Sequence, residues 1–355
     1  LSSLSPSAVI YSDEEIIDAV AYDQEQGIEA LGLWIKKHVS HGMPAVLVLD
    51  DDDYELLLVE APEVPDDELS AALEFRIGDL LAQPIEETAI QAMRLPRDAY
   101  RGRMSMAHVI ACPNEKIRAW VKWAENLHLV VEIITVPELS LLNVLAANSI
   151  SQGIALLELG PKQGCIRLYQ DGALYLTRQV EVGIDALEIQ NDEEISENAV
   201  VENEDSNAIN LDGVILEEIT SENLNSSDEV DLTELELDAV EEDLVIDQNA
   251  YVGFAPKAKV NEQQVESLVL DVQRSLDYYE SQLGMGQITQ LWLMGGDMDL
   301  SHLVDAMQPV LTAHIEQPNI AEKLKQQSGM KIPGSVSDVN KSVTALGGAL
   351  AYAAS

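Results

Sequence analysis

Residues 273–301 hold the helix, strand and turn that decide the fold: Gln273-Arg274-Ser275-Leu276-Asp277-Tyr278-Tyr279-Glu280, then Gln290-Leu291-Trp292-Leu293-Met294, then Gly295-Gly296-Asp297. The first run predicts a helix, the second a buried strand, and a further helix is expected from Ser301. Because glycine lacks a side chain, a strand ending in Gly295 and Gly296 lets the backbone approach a ligand. The first N–H groups of the next helix would then be free to bind an anion. The pattern predicts a ligand cleft, with a tight turn that binds nothing as the alternative.

Size and charge restrict the class of protein. A chain of 355 residues is long for a single core and predicts two lobes or domains. It carries 63 acidic residues against 20 Lys and Arg, a net charge of −43. Binding to phosphates needs clusters of Lys and Arg, so we expect neither nucleic acid nor anionic lipid as a direct partner.

Cysteine usage and hydropathy indicate the compartment. Cys112 and Cys165 both lie in apolar runs and are predicted to be small buried side chains in a reducing environment. No apolar run approaches the roughly 18–20 residues that a membrane span needs, so we expect no direct membrane insertion. The chain opens at Leu1 without a signal peptide, and we expect that a leading segment has been lost or trimmed.

One segment differs in composition from the rest. No Lys or Arg lies between Arg178 and Lys257, and 22 acidic residues lie between Glu188 and Asp247. Such a composition buries too little apolar surface to offset chain entropy, which predicts a largely flexible acidic insertion at about residues 188–250. The alternative is that its apolar residues, such as those at 214–216, form short strands or a helix.

Strand signals alternate with helix signals elsewhere. Residues 8–11 and 17–22 predict a hairpin, and residues 45–49 and 54–59 predict another across an acidic turn at 50–53. We interpret the four carboxylates of that turn as solvated, with a calcium site as the less favoured alternative. Residues 154–159, 164–170 and 173–179 predict a meander, with Asp171-Gly172 as its second turn. The mixture indicates a two-lobed α/β protein.

A family resemblance rests on several of these runs. The chain resembles the MshI family of pilus biogenesis proteins, relatives of PilM from a type IV pilus system of the mannose-sensitive haemagglutinin type. The resemblance covers most of the chain outside the acidic insertion. The runs that carry it are Tyr54-Glu-Leu-Leu-Leu-Val-Glu-Ala-Pro-Glu-Val-Pro65, Leu174-Tyr-Leu-Thr-Arg178, the residue 273–280 helix and the Gly295-Gly296 turn.

The resemblance implies a two-lobed, actin-like fold of the FtsA and PilM type. Residues 1–150 would form the first lobe, with a small inserted subdomain at about 43–113 and a C-terminal helix at 336–355 completing it. Residues 151–335 would form the second lobe. It also implies a cytoplasmic protein, peripheral at the inner membrane, which binds the cytoplasmic tail of a PilN-like bitopic membrane protein and forms a platform or ring. The cytoplasmic domain of GspL is similar.

The family's nucleotide cleft can be compared residue by residue. Its first phosphate turn falls on residues 1–8, which contain no glycine, acid or lysine. Its second turn keeps an acid and a glycine, but Pro161 lacks an N–H for a phosphate. The candidate cofactor-binding residues of this degenerate cleft are Ser2, Ser3, Glu158, Gly160, Gly295 and Gly296. We expect no catalytic residue, no metal ligand and no productive ATP hydrolysis; weak binding of ATP with Mg²⁺ stays open.

Three hypotheses of function follow. The first is a non-catalytic assembly protein of a type IV pilus platform, in which the first lobe and its inserted subdomain form a groove for a membrane partner's tail. The second is an ATP-binding assembly factor whose nucleotide state controls partner binding. The third is an acidic adaptor that captures a basic partner through residues 188–247.

Overall fold

The computed structural model describes residues 6–12, 15–22, 27–187, 210–211, 214–215, 260–296, 298–332 and 336–354. The chain divides into two compact units, Leu1–Ile189 with Ala258–Ser355, and Gln190–Lys257. The division places the acidic insertion in a unit of its own.

Fourteen strands are described, with these bounds: β1 (Ser7–Ser12), β2 (Glu15–Ala21), β3 (Pro44–Val48), β4 (Glu55–Glu60), β5 (Thr88–Arg94), β6 (Met106–Pro113), β7 (Val130–Thr135), β8 (Ile154–Leu159), β9 (Gly164–Gln170), β10 (Ala173–Val180), β11 (Asn210–Leu211), β12 (Val214–Ile215), β13 (Gln290–Met294) and β14 (His314–Glu316). The described α-helices are α1 (Gly27–His38), α2 (Leu69–Ile77), α3 (Asn114–Asn126), α4 (Pro137–Ala147), α5 (Ile184–Leu187), α6 (Glu262–Ser281), α7 (Ser301–Met307), α8 (Ile320–Ser328), α9 (Val336–Lys341) and α10 (Val343–Ala354).

Four residues of the acidic insertion, 210–211 and 214–215, are described. Strands β11 and β12 pair antiparallel, with Asn210 opposite Ile215, so the alternative of short strands near residue 214 is confirmed. The predicted flexibility of the rest lies outside the described residues.

The first predicted hairpin is confirmed, and the second is wrong. Strands β1 and β2 pair antiparallel. Strand β3 instead pairs parallel with β7, while β4 pairs antiparallel with β6. Asp51–Asp53 form a short 3-10 helix that carries the chain from one sheet to the next rather than reversing it. Both strands are apolar at nearly every position, so they lack the alternation that would identify their partners.

The inserted subdomain is a three-stranded sheet in the order β4-β6-β5, with α2 packed on one side. Leu69, Leu73 and Ile77 of α2 are fully buried. They pack against β6, whose Ala107 and Val109 face the helix. The spacing of four residues places the three apolar side chains on one helix face, which explains why this face is buried.

The second lobe contains a five-stranded sheet in the order β10-β9-β8-β13-β14. The predicted meander of β8, β9 and β10 is confirmed, and β13 adds parallel to β8. Asp171 and Gly172 both have positive φ, 50° and 73°, as the tight turn between β9 and β10 requires. Helix α6 covers the sheet and buries Leu268, Val272 and Tyr279.

The C-terminal helix α10 packs on elements that lie within residues 1–150. It contacts β1, β3 and α4. A Cβ atom on Gly348 would lie 2.9 Å from Cγ2 of Val48, so small residues allow this close approach. Each sheet of the first unit takes its strands from one side of residue 150; the exact lobe boundaries stay predictions. Within the described ranges, no helix combines the length and apolar character needed to cross a bilayer.

Candidate functional site

The structure brings four of the six predicted cleft residues to one sheet edge. Strands β8 and β13 are parallel, with Glu158 opposite Met294. Glu158 therefore lies beside the end of β13, and Gly160 and Gly295 each follow the carboxyl end of a neighbouring strand. This is the edge at which open α/β sheets bind ligands. Ser2 and Ser3 lie outside the described residues.

The turn after β8 is closed by its own hydrogen bonds. The Gly160 N–H donates to the Gln163 carbonyl at 2.9 Å, and the Gly160 carbonyl accepts from the Ile184 N–H at 3.0 Å. Gly183 packs so tightly on this turn that a Cβ atom there would lie 2.5 Å from the Gln163 nitrogen. Because Pro161 has no N–H and that of Gly160 is already used, these two residues offer no backbone donor to a phosphate.

The glycine pair after β13 has a structural role. Gly296 has φ +69°, and a Cβ atom on Gly295 would lie 2.7 Å from Cδ1 of Leu300. The prediction of free N–H groups at the next helix is wrong for the first two. The Leu300 N–H donates to Oε1 of Gln317 and the Ser301 N–H to Oδ1 of Asp299, each at 2.9 Å. Side chains of Gln317 and Asp299 thus accept these two N–H groups, and the glycines fit the tight-turn alternative.

A buried arginine lies at the same sheet edge. Arg167, on β9, is fully buried. Its Nη1 donates to Oε2 of Glu158 at 2.8 Å and its Nε to Oε1 of Glu138 at 3.1 Å. Its Nη2 lies 3.4 Å from Oδ1 of Asp51. Three carboxylates from three different elements therefore surround one guanidinium, a bonding pattern that its planar array of donors favours.

The sequence predictions missed Arg167, although a signal was present. It lies within the apolar run Cys165-Ile166-Arg167-Leu168-Tyr169, and β9 is an internal strand of its sheet whose residues are buried on both faces. A charged residue inside such a strand is rarely fully buried without a partner of opposite charge. The partners, however, lie 9 to 116 residues away in sequence.

The acidic turn contributes to this cluster, so the interpretation of its carboxylates as solvated is wrong for two of them. Asp51 forms an ion pair with Arg167. Asp53 is buried and accepts from Nζ of Lys116 at 2.7 Å and from Nε1 of Trp120 at 2.6 Å. These contacts hold the 3-10 helix between the subdomain and the rest of the first lobe.

Tyr54 joins the first-lobe carboxylates. Its hydroxyl lies 2.6 Å from Oε2 of Glu138 and 3.0 Å from Oδ1 of Asp51. Burial, followed by the charges of Glu138 and Asp51, raises the pKa of Tyr54 far above its usual value. The phenol therefore stays protonated, and its single O–H donates to one of these two carboxylates at a time.

Burial also affects Glu158 itself. Loss of solvent raises the pKa of the Glu158 carboxyl above its usual value, and the Arg167 guanidinium only partly opposes this. Of the three carboxylates, Glu158 is the one that the family resemblance assigns to the second phosphate turn. It is directly bonded to an internal cation.

The remaining space is small. The cavity at this edge is lined by Asp51, Glu158, Gly160, Gln163, Gly164, Cys165 and Gln179 and measures about 10 Å³. That volume holds about one water molecule. With Arg167 on the carboxylates and the Gly160 turn closed, these residues do not fit the phosphates of a nucleotide with Mg²⁺.

A second set of contacts joins the inserted subdomain to the second lobe. The Tyr100 and Tyr278 hydroxyls are 3.0 Å apart, and the Tyr175 hydroxyl donates to Oδ1 of Asp98 at 3.3 Å. Leu95 and Ala99 are buried within the second-lobe core. Tyr100 and Arg101 adopt φ of 55° and 56°, values that cost non-glycine residues energy. Packing against the second lobe holds this segment in place.

The comparisons with known proteins bear on the fold. No protein-family profile and no curated protein matches the chain. Among solved structures, the chain is similar to one from a "PilM-PilN type IV pilus biogenesis complex", with 15% identity over 98% of this chain and 96% of that one and a TM-score of 0.60.

Two further solved structures are more distant. The cytoplasmic domain of EpsL, an inner-membrane component of the Vibrio cholerae type II secretion system, is 17% identical over 51% of this chain and 67% of that one, with a TM-score of 0.38. A Bacteroides thetaiotaomicron protein with an actin-like ATPase fold is 8% identical over 92% of this chain and 96% of that one, with a TM-score of 0.36. The likeness to the chain from the PilM–PilN complex alone shows the fold: the chain has a mixed α/β fold of the type seen in that complex.

Proposed function

We propose that this chain is a non-catalytic assembly protein of a type IV pilus inner-membrane platform, of the MSHA type. It binds the cytoplasmic tail of a PilN-like bitopic membrane protein and is held at the inner membrane, on the cytoplasmic side, through that partner. Two observations support the proposal: the fold likeness to the chain of a PilM–PilN complex and the residue runs that resemble the MshI family. A platform or ring of several copies fits the same proposal.

The observation that carries the non-catalytic part is the Arg167 cluster. Hydrolysis of ATP needs an acid that is free to hold Mg²⁺, commonly through water, beside the phosphates. Here Glu158 is hydrogen-bonded to Arg167 at 2.8 Å. Unlike a metal ion, the guanidinium is covalently part of the chain and cannot dissociate from the site. The chain's own arginine supplies the positive charge that a metal ion would otherwise supply.

The test compares two ligands on one protein. A synthetic peptide with the cytoplasmic tail sequence of the PilN-like partner should bind in isothermal titration and raise the melting temperature, because a ligand of the native state stabilises it. Mg-ATP at millimolar concentration should leave the melting temperature unchanged. Absence of heat with the peptide at high micromolar concentration contradicts the proposal.

The alternative is an ATP-binding assembly factor whose nucleotide state controls the affinity for its partner. It is favoured by one observation: Glu158, Gly160 and Gly295 meet at the sheet edge where such ligands bind. A melting temperature that rises saturably with Mg-ATP, together with a change in affinity for the tail peptide, supports this alternative. The adaptor hypothesis is tested separately, by deleting residues 188–247 and measuring capture of the same peptide.

A further inference from the structure

Arg167 makes hydrogen bonds both within its own sheet and to the other half of the chain. Its bond to Glu158 joins the neighbouring strands β9 and β8, so this pair lies within the second lobe. Its bonds to Glu138 on α4 and to Asp51 join it to elements within residues 1–150. One guanidinium therefore takes part in a pair within a lobe and in two pairs between lobes, and substitution can remove the two kinds separately.

Tyr169 adds a second contact to α4. It lies two residues beyond Arg167 on β9, so both side chains are on the same face of the sheet. The Tyr169 side chain is buried, and its hydroxyl donates to the Glu138 carbonyl at 3.0 Å. Glu138 is thus bonded to the second lobe through both its side chain and its main chain.

Asp51 is held in position by residues of the first lobe. It begins the short 3-10 helix whose last residue, Asp53, is bonded to side chains of α3. The Tyr54 hydroxyl, directly after this helix, lies 3.0 Å from Oδ1 of Asp51 and 2.6 Å from Oε2 of Glu138. The two first-lobe carboxylates therefore share one neighbouring donor and together form the acceptor site for Arg167.

Without the arginine, the charges at this position would repel one another. Three carboxylates, two from the first lobe and one from the second, surround a guanidinium that is fully buried. Like charges in a buried site repel, and a buried cation attracts each of them strongly because little solvent screens the interaction. Arg167 therefore changes the force between the lobes from repulsive to attractive.

We propose that Arg167, Glu158, Glu138 and Asp51 form an ionic lock, which holds the two lobes in one arrangement without a bound ligand. Because the cation belongs to the chain, the lock needs neither a nucleotide nor a metal ion. Its consequence for binding rests on the proposed function: the surface that the partner's tail contacts is already in its binding arrangement. The affinity for the tail is therefore independent of Mg-ATP.

The experiment measures the distance between the lobes by double electron–electron resonance. Nitroxide labels are attached at Leu33→Cys and Val310→Cys, on opposite sides of residue 150, where the native side chains are 70% and 60% exposed. The native Cys112 and Cys165 are buried and so react poorly with the label. The labelled protein, otherwise wild type, should give one narrow distance distribution, and millimolar Mg-ATP should leave it unchanged.

Two matched variants separate the pairs between lobes from the pair within a lobe. The double variant, Asp51→Asn with Glu138→Gln, removes both first-lobe charges and should broaden the distribution. It leaves the pair of Arg167 with Glu158 intact. The control, Glu158→Gln, removes only the pair within the second lobe, and its distribution should stay narrow.

A third variant removes the cation itself. Arg167→Gln leaves the three carboxylates to repel one another and should shift the distribution to longer distances. Circular dichroism checks that each variant is folded. If Arg167→Gln does not fold, the comparison of the double variant with Glu158→Gln decides.

The same proteins are compared for their affinity to a peptide with the tail sequence of the PilN-like partner, by isothermal titration. If the binding arrangement falls to about a third of the molecules in the double variant, the apparent affinity falls about threefold. Glu158→Gln should bind the peptide as wild type does.

The outcomes distinguish the lock from the proposed function. A wild-type distribution that is broad, or that narrows only with Mg-ATP, overturns the lock. A double variant as narrow as wild type, or a Glu158→Gln variant as broad as the double variant, overturns it as well. If the peptide does not bind wild type, the proposed function fails, while the distance measurements still decide the lock. If the distances change as expected but the double variant binds the peptide as tightly as wild type, the consequence for binding is wrong.

Discussion

Nη1 of Arg167 lies 2.8 Å from Oε2 of Glu158, where strand β8 ends beside strand β13. The two residues are opposite charges on neighbouring antiparallel strands, β9 and β8. Glu138 and Asp51 bring further negative charge from the first lobe. The arginine therefore links two carboxylates of the first lobe electrostatically to one of the second lobe.

Replacing Arg167 should destabilise the protein strongly. In Arg167→Ala, buried carboxylates lose their counter-charge, and breaking a buried pair in this way costs about 3–5 kcal/mol. Arg167→Ala with Glu158→Gln should recover part of the loss, because one unpaired charge is removed. Urea unfolding, monitored by circular dichroism, measures the free energy of unfolding of both variants.

The control for this prediction is Arg274→Ala. Its side chain is 68% exposed and pairs with Asp271 on the same helix, and such exposed pairs contribute about 0.2–1 kcal/mol. If both arginine variants lose equally little stability, the Arg167 cluster does not hold the lobes together.

Acidification should destabilise the protein through His108. Burial lowers the pKa of His108 to about 4 from its usual value of 6.5, partly opposed by the Glu138 charge. Neither ring nitrogen makes a hydrogen bond of normal geometry to a described residue. The unfolded chain takes up the proton first, so stability is lost as the pH falls from about 6.5 towards 4. Between pH 7.5 and pH 5 this group should account for about 2 kcal/mol.

The measurement compares urea unfolding of wild type and His108→Leu at both pH values. Effects of the carboxylates are common to both proteins, so the difference isolates the histidine. Equal pH dependence in the two proteins would show that His108 is accessible to protons in the folded state.

The hydrogen bond between Tyr100 and Tyr278 should couple the inserted subdomain to the second lobe. Tyr100→Phe and Tyr278→Phe should each cost about 1 kcal/mol, since each leaves a partner hydroxyl without its bond. The double variant should cost no more than either single one, which gives a coupling energy of about 1 kcal/mol. Additive losses in this cycle would show that the two hydroxyls do not interact in solution.

A side chain added in the Gly295–Gly296 turn should lower the stability of the protein, because of the backbone conformation there. Gly296→Ala places a Cβ atom at φ +69° and should cost about 1–2 kcal/mol. Gly286 is the matched control, because no described atom lies within 4 Å of its added Cβ and its φ is not positive. Gly286→Ala should be neutral or slightly stabilising. The melting temperatures of the Gly296→Ala and Gly286→Ala variants measure the two effects. Equal losses of stability would contradict the tight-turn explanation.

Local signals explain which parts of the fold were predictable. The β9–β10 hairpin follows from Asp171-Gly172, two residues that tolerate positive φ. The strand before Gly295 and the helix at residues 273–280 follow from their own periodicity. Strands β3 and β4 carry no comparable signal, since their apolar residues do not alternate. The predicted hairpin is therefore wrong, because the two strands belong to different sheets.

The candidate site divides in the same way. Glu158, Gly160 and the glycine pair could be predicted because turns have characteristic residues that are adjacent in the sequence. Asp51, Tyr54, Glu138 and Arg167 were not found as a group, because each is ordinary within its own segment. Their proximity exists only after β9, α4 and the acidic turn have packed.

By itself, the sequence determined the α/β class, the position of the strongly acidic insertion and the residues that end strands β8 and β13, because composition, periodicity and turn chemistry act over a few residues. Only the tertiary structure decided that β3 pairs with β7 and that Arg167 neutralises carboxylates of both lobes. Partner choice in a sheet and burial of a charge are properties of packing between distant segments, and no short stretch of chain specifies them.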